Sequence, residues 1–100
     1  MLDTVKRKDF AKHLKETFHV QADLPEPLAF KLIEVNKLGS KKKKGEKGRR
    51  PFSVIFRGPA DRILPQRIYQ VSHKKMGTFD LFLVPVGQDA HGIQYEALFT

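Results

Sequence analysis

The sequence predicts an α+β fold that is mainly β: about six antiparallel strands forming a small barrel or sandwich, with one short N-terminal helix. Three observations predict it. Short apolar runs, most of them alternating, recur from Phe18 to Phe99 and are separated by polar, Gly- or Pro-containing turns. Helical spacing is confined to the first segment. One hundred residues, 40% of them hydrophobic and eight of them Phe, supply a single core without staples. The chain therefore reads as one domain, residues 1–100, too apolar to be disordered throughout.

Taken in order, Thr4 to Thr17 carries Val5, Phe10, Ala11 and Leu14, and the spacing of the last three suits one face of a helix. Thr4 can cap that helix, and a start one turn later, near Lys6, fits equally. So short a helix is marginal alone and must pack Phe10 and Leu14 on something. Phe18-His19-Val20 is a strand, and Leu24-Pro25-Glu26-Pro27 a turn, because each Pro disfavours helix before it. In the strand Ala29 to Leu38 the apolar parity switches at Leu32/Ile33, the mark of a bulge or of cover on both faces. The Lys/Gly segment from Gly39 to Gly48 reads as a mobile loop. Phe52 to Phe56 alternates, with Phe52, Val54 and Phe56 inward, so the basic run falls between two neighbouring antiparallel strands.

Arg57 to Asp61 is a turn by its Gly-Pro dipeptide, and Leu64-Pro65-Gln66 leads into a strand over Ile68 to His73. Lys74 to Gly77 is a compact hairpin connection. Thr78 to Val86 is apolar on both parities after Phe79, which predicts a central strand covered by the helix or a second layer. Pro85 cannot donate to a ladder and marks a bulge or the end of pairing. Gly87 to Gly92 is a hairpin loop, and Ile93, Tyr95, Ala97 and Phe99 alternate in the last strand. Joined by short turns, these strands suit a rolled meander with the helix closing one end.

The formal net charge of +8 would suggest a nucleic-acid binder if it were spread over a face. It is local. From Ser40 to Arg50 seven basic residues face one acid, a charge of +6, while the other 89 residues hold 12 basic and 10 acidic side chains, or +2. Residues 40–50 thus read as a flexible basic loop on a nearly neutral body. No apolar stretch approaches a membrane span, and Met1 to Lys15 lacks the apolar core of a signal peptide. With no cysteine, disulfides, thiolate zinc sites and a cysteine nucleophile are excluded together. The expectation is a soluble cytoplasmic protein, with no membrane partner.

From Phe52 onward the chain resembles a small, functionally uncharacterised bacterial domain family. The resemblance rests on Phe56-Arg57-Gly58-Pro59, Leu64-Pro65-Gln66, Ile68-Tyr69, His73 and Gly77. It continues through Phe82-Leu83-Val84-Pro85-Val86-Gly87, Asp89, Gly92, Tyr95-Glu96-Ala97 and Phe99, with Asp9-Phe10, Leu14 and Thr17-Phe18 similar as well. The resemblance implies a stand-alone domain, in some cases near phage-tail-like genes, and brings no activity or cofactor with it. Residues 40 to 50 depart from the pattern, where a shorter or less charged loop is expected.

Several residue sets could carry chemistry. Lys41, Lys42, Lys43, Lys44, Lys47, Arg49 and Arg50 could neutralise phosphates on a polyanion; without an aromatic to stack on a base, such binding would be non-specific. The plainer reading is a solvated loop tip whose lysines discourage strand-edge aggregation. Arg57, Gln66, Tyr69, His73 and Glu96, all inside the resembling motifs, could line a partner or ligand surface. Alternatively Arg57 and Glu96 pair across strands while Gln66 satisfies backbone groups. If the helix leaves Phe82 and Val84 uncovered, that face is an apolar patch and so a protein interface. His13, His19, His73 and His91 show no HxxxH or HxH spacing, and His91 near Asp89 makes a poor pair, so no metal is expected.

Ser40, Ser53 and Ser72 lack a nucleophile-elbow context, no carboxylates are spaced as a dyad, and no Gly-rich phosphate cradle exists. The expectation is therefore no enzyme and no cofactor. It is a non-catalytic protein–protein interaction or structural module, self-associating or bound to a protein partner, as an accessory of a phage-tail-like assembly would be. The alternatives are polyanion or nucleic-acid binding by residues 41–50, and a β-barrel that holds a small molecule at its mouth.

Overall fold

A computed structural model describes residues 6–38 and 51–99. Among them are the helix α1 (Arg7–Ala11) and the strands β1 (Thr17–Gln21), β2 (Leu28–Lys37), β3 (Phe52–Gly58), β4 (Arg67–His73), β5 (Gly77–Asp89) and β6 (Gly92–Phe99). All pair antiparallel into one closed barrel in the order β1-β2-β3-β6-β5-β4. The fold is thus mainly β with one short N-terminal helix, and the sheet closes as a barrel, not a sandwich.

The order is not a simple meander. Two three-stranded meanders, β1-β2-β3 and β4-β5-β6, meet where β3 pairs with β6 and β1 with β4. The connection from Pro59 to Gln66 makes this possible: it crosses one mouth of the barrel and buries Leu64 there. At the opposite mouth β1, β3 and β5 begin and β2, β4 and β6 end, and the helix sits over it.

Every strand sends an aromatic ring inward, and these fill the barrel: Phe18, Phe30, Phe52 and Phe56, Tyr69, Phe79, and Tyr95 with Phe99. Such filling is expected of so narrow a barrel. At the helix end Phe10 is fully buried among Phe18, Phe52, Phe79 and Phe99. At the crossover end Phe30 packs on Tyr95 at 5.0 Å. There the Tyr95 hydroxyl accepts the Leu64 N–H at 2.8 Å, and the Tyr69 hydroxyl donates to the Pro65 carbonyl at 2.5 Å. Each end is therefore closed by side chains from outside the sheet.

Of the two readings open at Leu32/Ile33 and at Pro85, the bulge is the one that forms at each, as register shifts between Leu32 and Glu34 and between Pro85 and Gly87. Three expectations need correction. The helix stops at Ala11 and Leu14 is 41% exposed, off the Phe10 face. Lys15 takes a left-handed conformation (φ 70) as the chain turns into β1, so one helical turn presents one residue inward. β5 is not covered on both faces: Phe79, Leu81 and Leu83 point in, while Phe82 is 49% exposed. The helix serves the barrel's end and leaves Phe82 exposed on the outer face of β5, whereas Ser53 and Ile55 on the outer face of β3 are buried. Finally, the loop expected over Gly87 to Gly92 shrinks to Ala90 and His91, since pairing runs to Asp89↔Gly92.

Candidate functional site

Register places a row of apolar side chains on the barrel's outer face. Ile68 of β4 pairs directly with Phe82 of β5. Val84 of β5 pairs with Glu96 of β6, so Phe82 and Leu98 each lie two residues further along on that same face. Ile68, Phe82 and Leu98 are 64%, 49% and 58% exposed. Val84 is half-buried between them, and Val86 extends the patch along β5. Asp80 and Glu96 flank the row, and neither has an ion-pair partner among the described residues.

The crossover end carries a charged network. Arg57 lies in register with Gln94, and the tight β5–β6 turn sets Asp89 beside both. Asp89 Oδ2 accepts from Arg57 Nε (2.9 Å) and Nη2 (2.6 Å) and from Gln94 Nε2 (2.9 Å). Its Oδ1 accepts the backbone N–H groups of His91 (2.8 Å) and Gly92 (3.0 Å). Both oxygens are committed, which leaves none for a metal shared with His91. The Arg57 guanidinium above all, then Gln94 and the His91 N–H, hold the Asp89 carboxyl well below the usual carboxylate range. A depressed carboxyl pKa contributes stability that is complete above the ordinary Asp value and fades as pH falls towards the folded value. Asp89→Asn is therefore expected to lower the urea midpoint at about pH 7 and to shrink the gap between the midpoints at about pH 7 and about pH 3. An unchanged gap would show that other carboxylates carry the acid sensitivity.

At the helix end β4 closes with His73, whose side chain is 1% exposed. Its Nε2 lies 2.8 Å from Glu16 Oε1, and His13 Nδ1 reaches the same oxygen at 3.0 Å. Three potential ligand atoms thus lie within 4.8 Å of one another, close enough to hold a metal ion. The hydrogen bonding argues against one. His73 Nδ1 accepts the Lys75 and Met76 N–H groups at 3.1 and 3.2 Å, so the ring proton sits on Nε2 and points at Glu16. A metal on Nε2 would move that proton to Nδ1, against two donors. The cluster is a hydrogen-bonded hub tying residues 13–16 to β4. Its two imidazoles, His73 first, draw the Glu16 carboxyl below its ordinary range.

The structure does not gather the five polar residues singled out in the sequence. Gln66 is exposed on the crossover, and Tyr69 is buried inside the barrel, where burial raises its hydroxyl pKa and keeps it a donor. His73 is inside at the opposite end, Glu96 is on the outer face, and Arg57 belongs to the Asp89 network. The expected Arg57–Glu96 pair does not form, because register sets Glu96 opposite Ile55 and Val84 while Asp89 takes the guanidinium. Lys41, Lys42, Lys43, Lys44, Lys47, Arg49 and Arg50 lie outside the described residues; β2 and β3, which that segment joins, are neighbours as expected. Sequence reading missed the hub because Glu16 and His73 are 57 positions apart. The parity that put His73 on the Tyr69/Val71 side was the available signal.

Neither the curated proteins nor the solved structures gave a match. A family model described as Domain of unknown function (DUF6916) matches residues 5–99, from before the helix to the end of β6. That span covers nearly the whole chain and agrees with the resemblance carried by its motifs, so the chain belongs to DUF6916, a family of domains of unknown function.

Proposed function

We propose that the domain is a non-catalytic protein-binding module that docks a partner on the outer face of β4, β5 and β6. The observation that carries this reading is the row Ile68–Phe82–Leu98, three large apolar side chains exposed on three adjacent strands. Scattered exposed hydrophobics are ordinary, but a contiguous rimmed patch marks a docking surface. The barrel has no open sheet edge, so a partner binds by side chains and not by strand addition. The rim also favours a different protein over a second copy. A two-fold pairing would bring Asp80 and Glu96 to both sides of the contact, whereas a partner with apolar anchors and basic residues complements them.

Site-specific photo-cross-linking in the cells that make the protein tests this. A photoreactive residue in place of Phe82 is expected to capture a distinct partner, and one in place of Lys31, exposed on β2 across the barrel, is not. Leu98→Asp should abolish the Phe82-position adduct, and Phe82→Ala should weaken the isolated complex by roughly tenfold or more with little effect on stability. Adducts from both positions alike, or from neither, would remove the docking face; an adduct of two copies would replace the partner with self-association.

A further inference from the structure

On the outer side of the β1–β4 seam, beside the histidine hub, lies an open depression of about 520 Å³. Its walls are Lys15, Thr17, His19, Ser72 and Lys74, with Glu16 and His73 of the hub. The fold explains the assembly. His19 pairs with Ser72 across the seam, alternation puts Thr17 on the same face as His19, and Lys15 and Lys74 extend from the adjoining ends of the two strands. The residues that line it bring two ammoniums, two hydroxyls and the His19 imidazole to one concavity, and all can donate.

The one carboxylate in the wall, Glu16, turns its Oε1 to His13 and His73 and keeps its negative charge, against which the wall sets the two ammoniums of Lys15 and Lys74. Lys15 and Lys74 make no ion pair among the described residues. The chain segments that lead into and out of the depression are basic as well. Residues 6–16 and 74–75 hold Lys6, Arg7, Lys8, Lys12, Lys15, Lys74 and Lys75 against Asp9 and Glu16, a local charge of +5. Such a charge draws anions to the concavity.

We propose that this depression binds a phosphoryl group carried by a larger ligand. A phosphoryl group offers a charge near −2 and three acceptor oxygens, which suits two lysines and hydroxyl donors set around it better than a planar carboxylate would. The depression is far roomier than one phosphate requires, so the remainder of an ester has space to lie along the seam. A small phosphomonoester offers that group in full, whereas each phosphodiester of a nucleic-acid strand keeps one charge and two free oxygens and meets the same donors less completely. The site uses neither the β4–β5–β6 docking face nor the 41–50 run, so it stands or falls separately from both.

The test is a titration of the ¹⁵N-labelled full chain with inorganic phosphate, adenosine monophosphate and a short single-stranded oligonucleotide, all at one ionic strength, with sodium chloride as control. Saturable amide shifts are expected at Thr17, His19, Ser72 and Lys74. Affinity should fall about tenfold or more in the Lys15→Gln/Lys74→Gln variant, since each lysine supplies a charge-assisted contact. Tighter binding of the monophosphate identifies a free ester as the ligand, and tighter binding of the oligonucleotide a strand; either sustains the site. Equal shifts with chloride, shifts centred on other lysines, or undiminished binding by the double variant would overturn it. Should the double variant lose its dispersed spectrum, Ser72→Ala, which removes one hydroxyl from the wall, gives the same reading.

Discussion

Phe10→Ala is expected to cost about 3–5 kcal/mol, the range for deleting a buried phenyl ring whose site cannot collapse. The site here is the helix-end mouth of the barrel, where Phe10 stands among four rings from four strands with centroids 5.4 to 6.3 Å away. Those rings are held by their own strands and cannot follow the missing one inward. Phe10 is also the residue α1 buries, and one turn of helix has no stability of its own. Its loss should therefore free residues 6–16 and break the Glu16 contact to His73. Since domains of this size are stable by only about 5–15 kcal/mol, urea unfolding should show a much reduced midpoint. Hydrogen exchange should speed most at the starts of β1 and β3 and the end of β6. Phe10→Leu keeps most of the volume and should cost markedly less. A loss below about 1 kcal/mol for Phe10→Ala would mean the helix is an appendage and not a plug.

The parity of side chains was legible wherever one residue in two is apolar. Phe18/Val20, Phe52/Val54/Phe56, Tyr69/Val71/His73 and Ile93/Tyr95/Ala97/Phe99 all point inward as alternation requires. Both bulges showed as a parity switch and a proline. The strand order was not legible, because it depends on whether the Pro59–Gln66 connection turns back beside β3 or crosses the mouth, and nothing local decides that. What decides it is the fit of Leu64 against the Tyr95 hydroxyl, a contact between residues 31 positions apart. Cover for β5 was misjudged for a related reason. An apolar run on both parities signals burial on both faces in a layered protein, but in this barrel the same run leaves Phe82 and Val86 exposed on the outer face of β5.

The polar sites were less legible than the core, since each depends on register. Arg57 was expected to pair with Glu96, two residues from Gln94, its partner in register, but a two-residue turn instead projects Asp89 at the guanidinium. A local clue existed, because an Asp with Gly three positions later is a signature of side-chain-to-backbone bonding in a turn. The depression at the β1–β4 seam had no such clue, as it joins two strands that are neighbours only through the crossover.

Gly92→Ala is expected to be at least as damaging as loss of the plug ring, from the other end of the barrel. A Cβ at Gly92 would lie 2.1 Å from the Gly58 carbonyl oxygen and 3.0 Å from Arg57 Cγ. The first contact is with backbone, so no rotamer change relieves it. Moving that carbonyl means opening the β3–β6 pairing at Gly58↔Ile93, one of the seams that close the barrel. Gly58 has little room to retreat, for its own Cα faces the Phe30 ring closely enough that a Cβ there would sit at 2.7 Å. Overpacking commonly costs about 1–3 kcal/mol and more where neighbours cannot yield, so a loss of about 3 kcal/mol or greater is expected. Gly77→Ala is the control. Its φ of 84 is unfavourable for alanine, yet no atom lies within 4 Å, so strain alone should cost about 1 kcal/mol. Because Gly92 N–H also binds Asp89 Oδ1, displacing it should loosen the carboxylate that Arg57 holds. Gly92→Ala and Asp89→Asn should then combine to less than the sum of their separate losses, since both act on one network. Additive losses would separate the steric seam from the charged network and leave Gly92 with a purely spatial role.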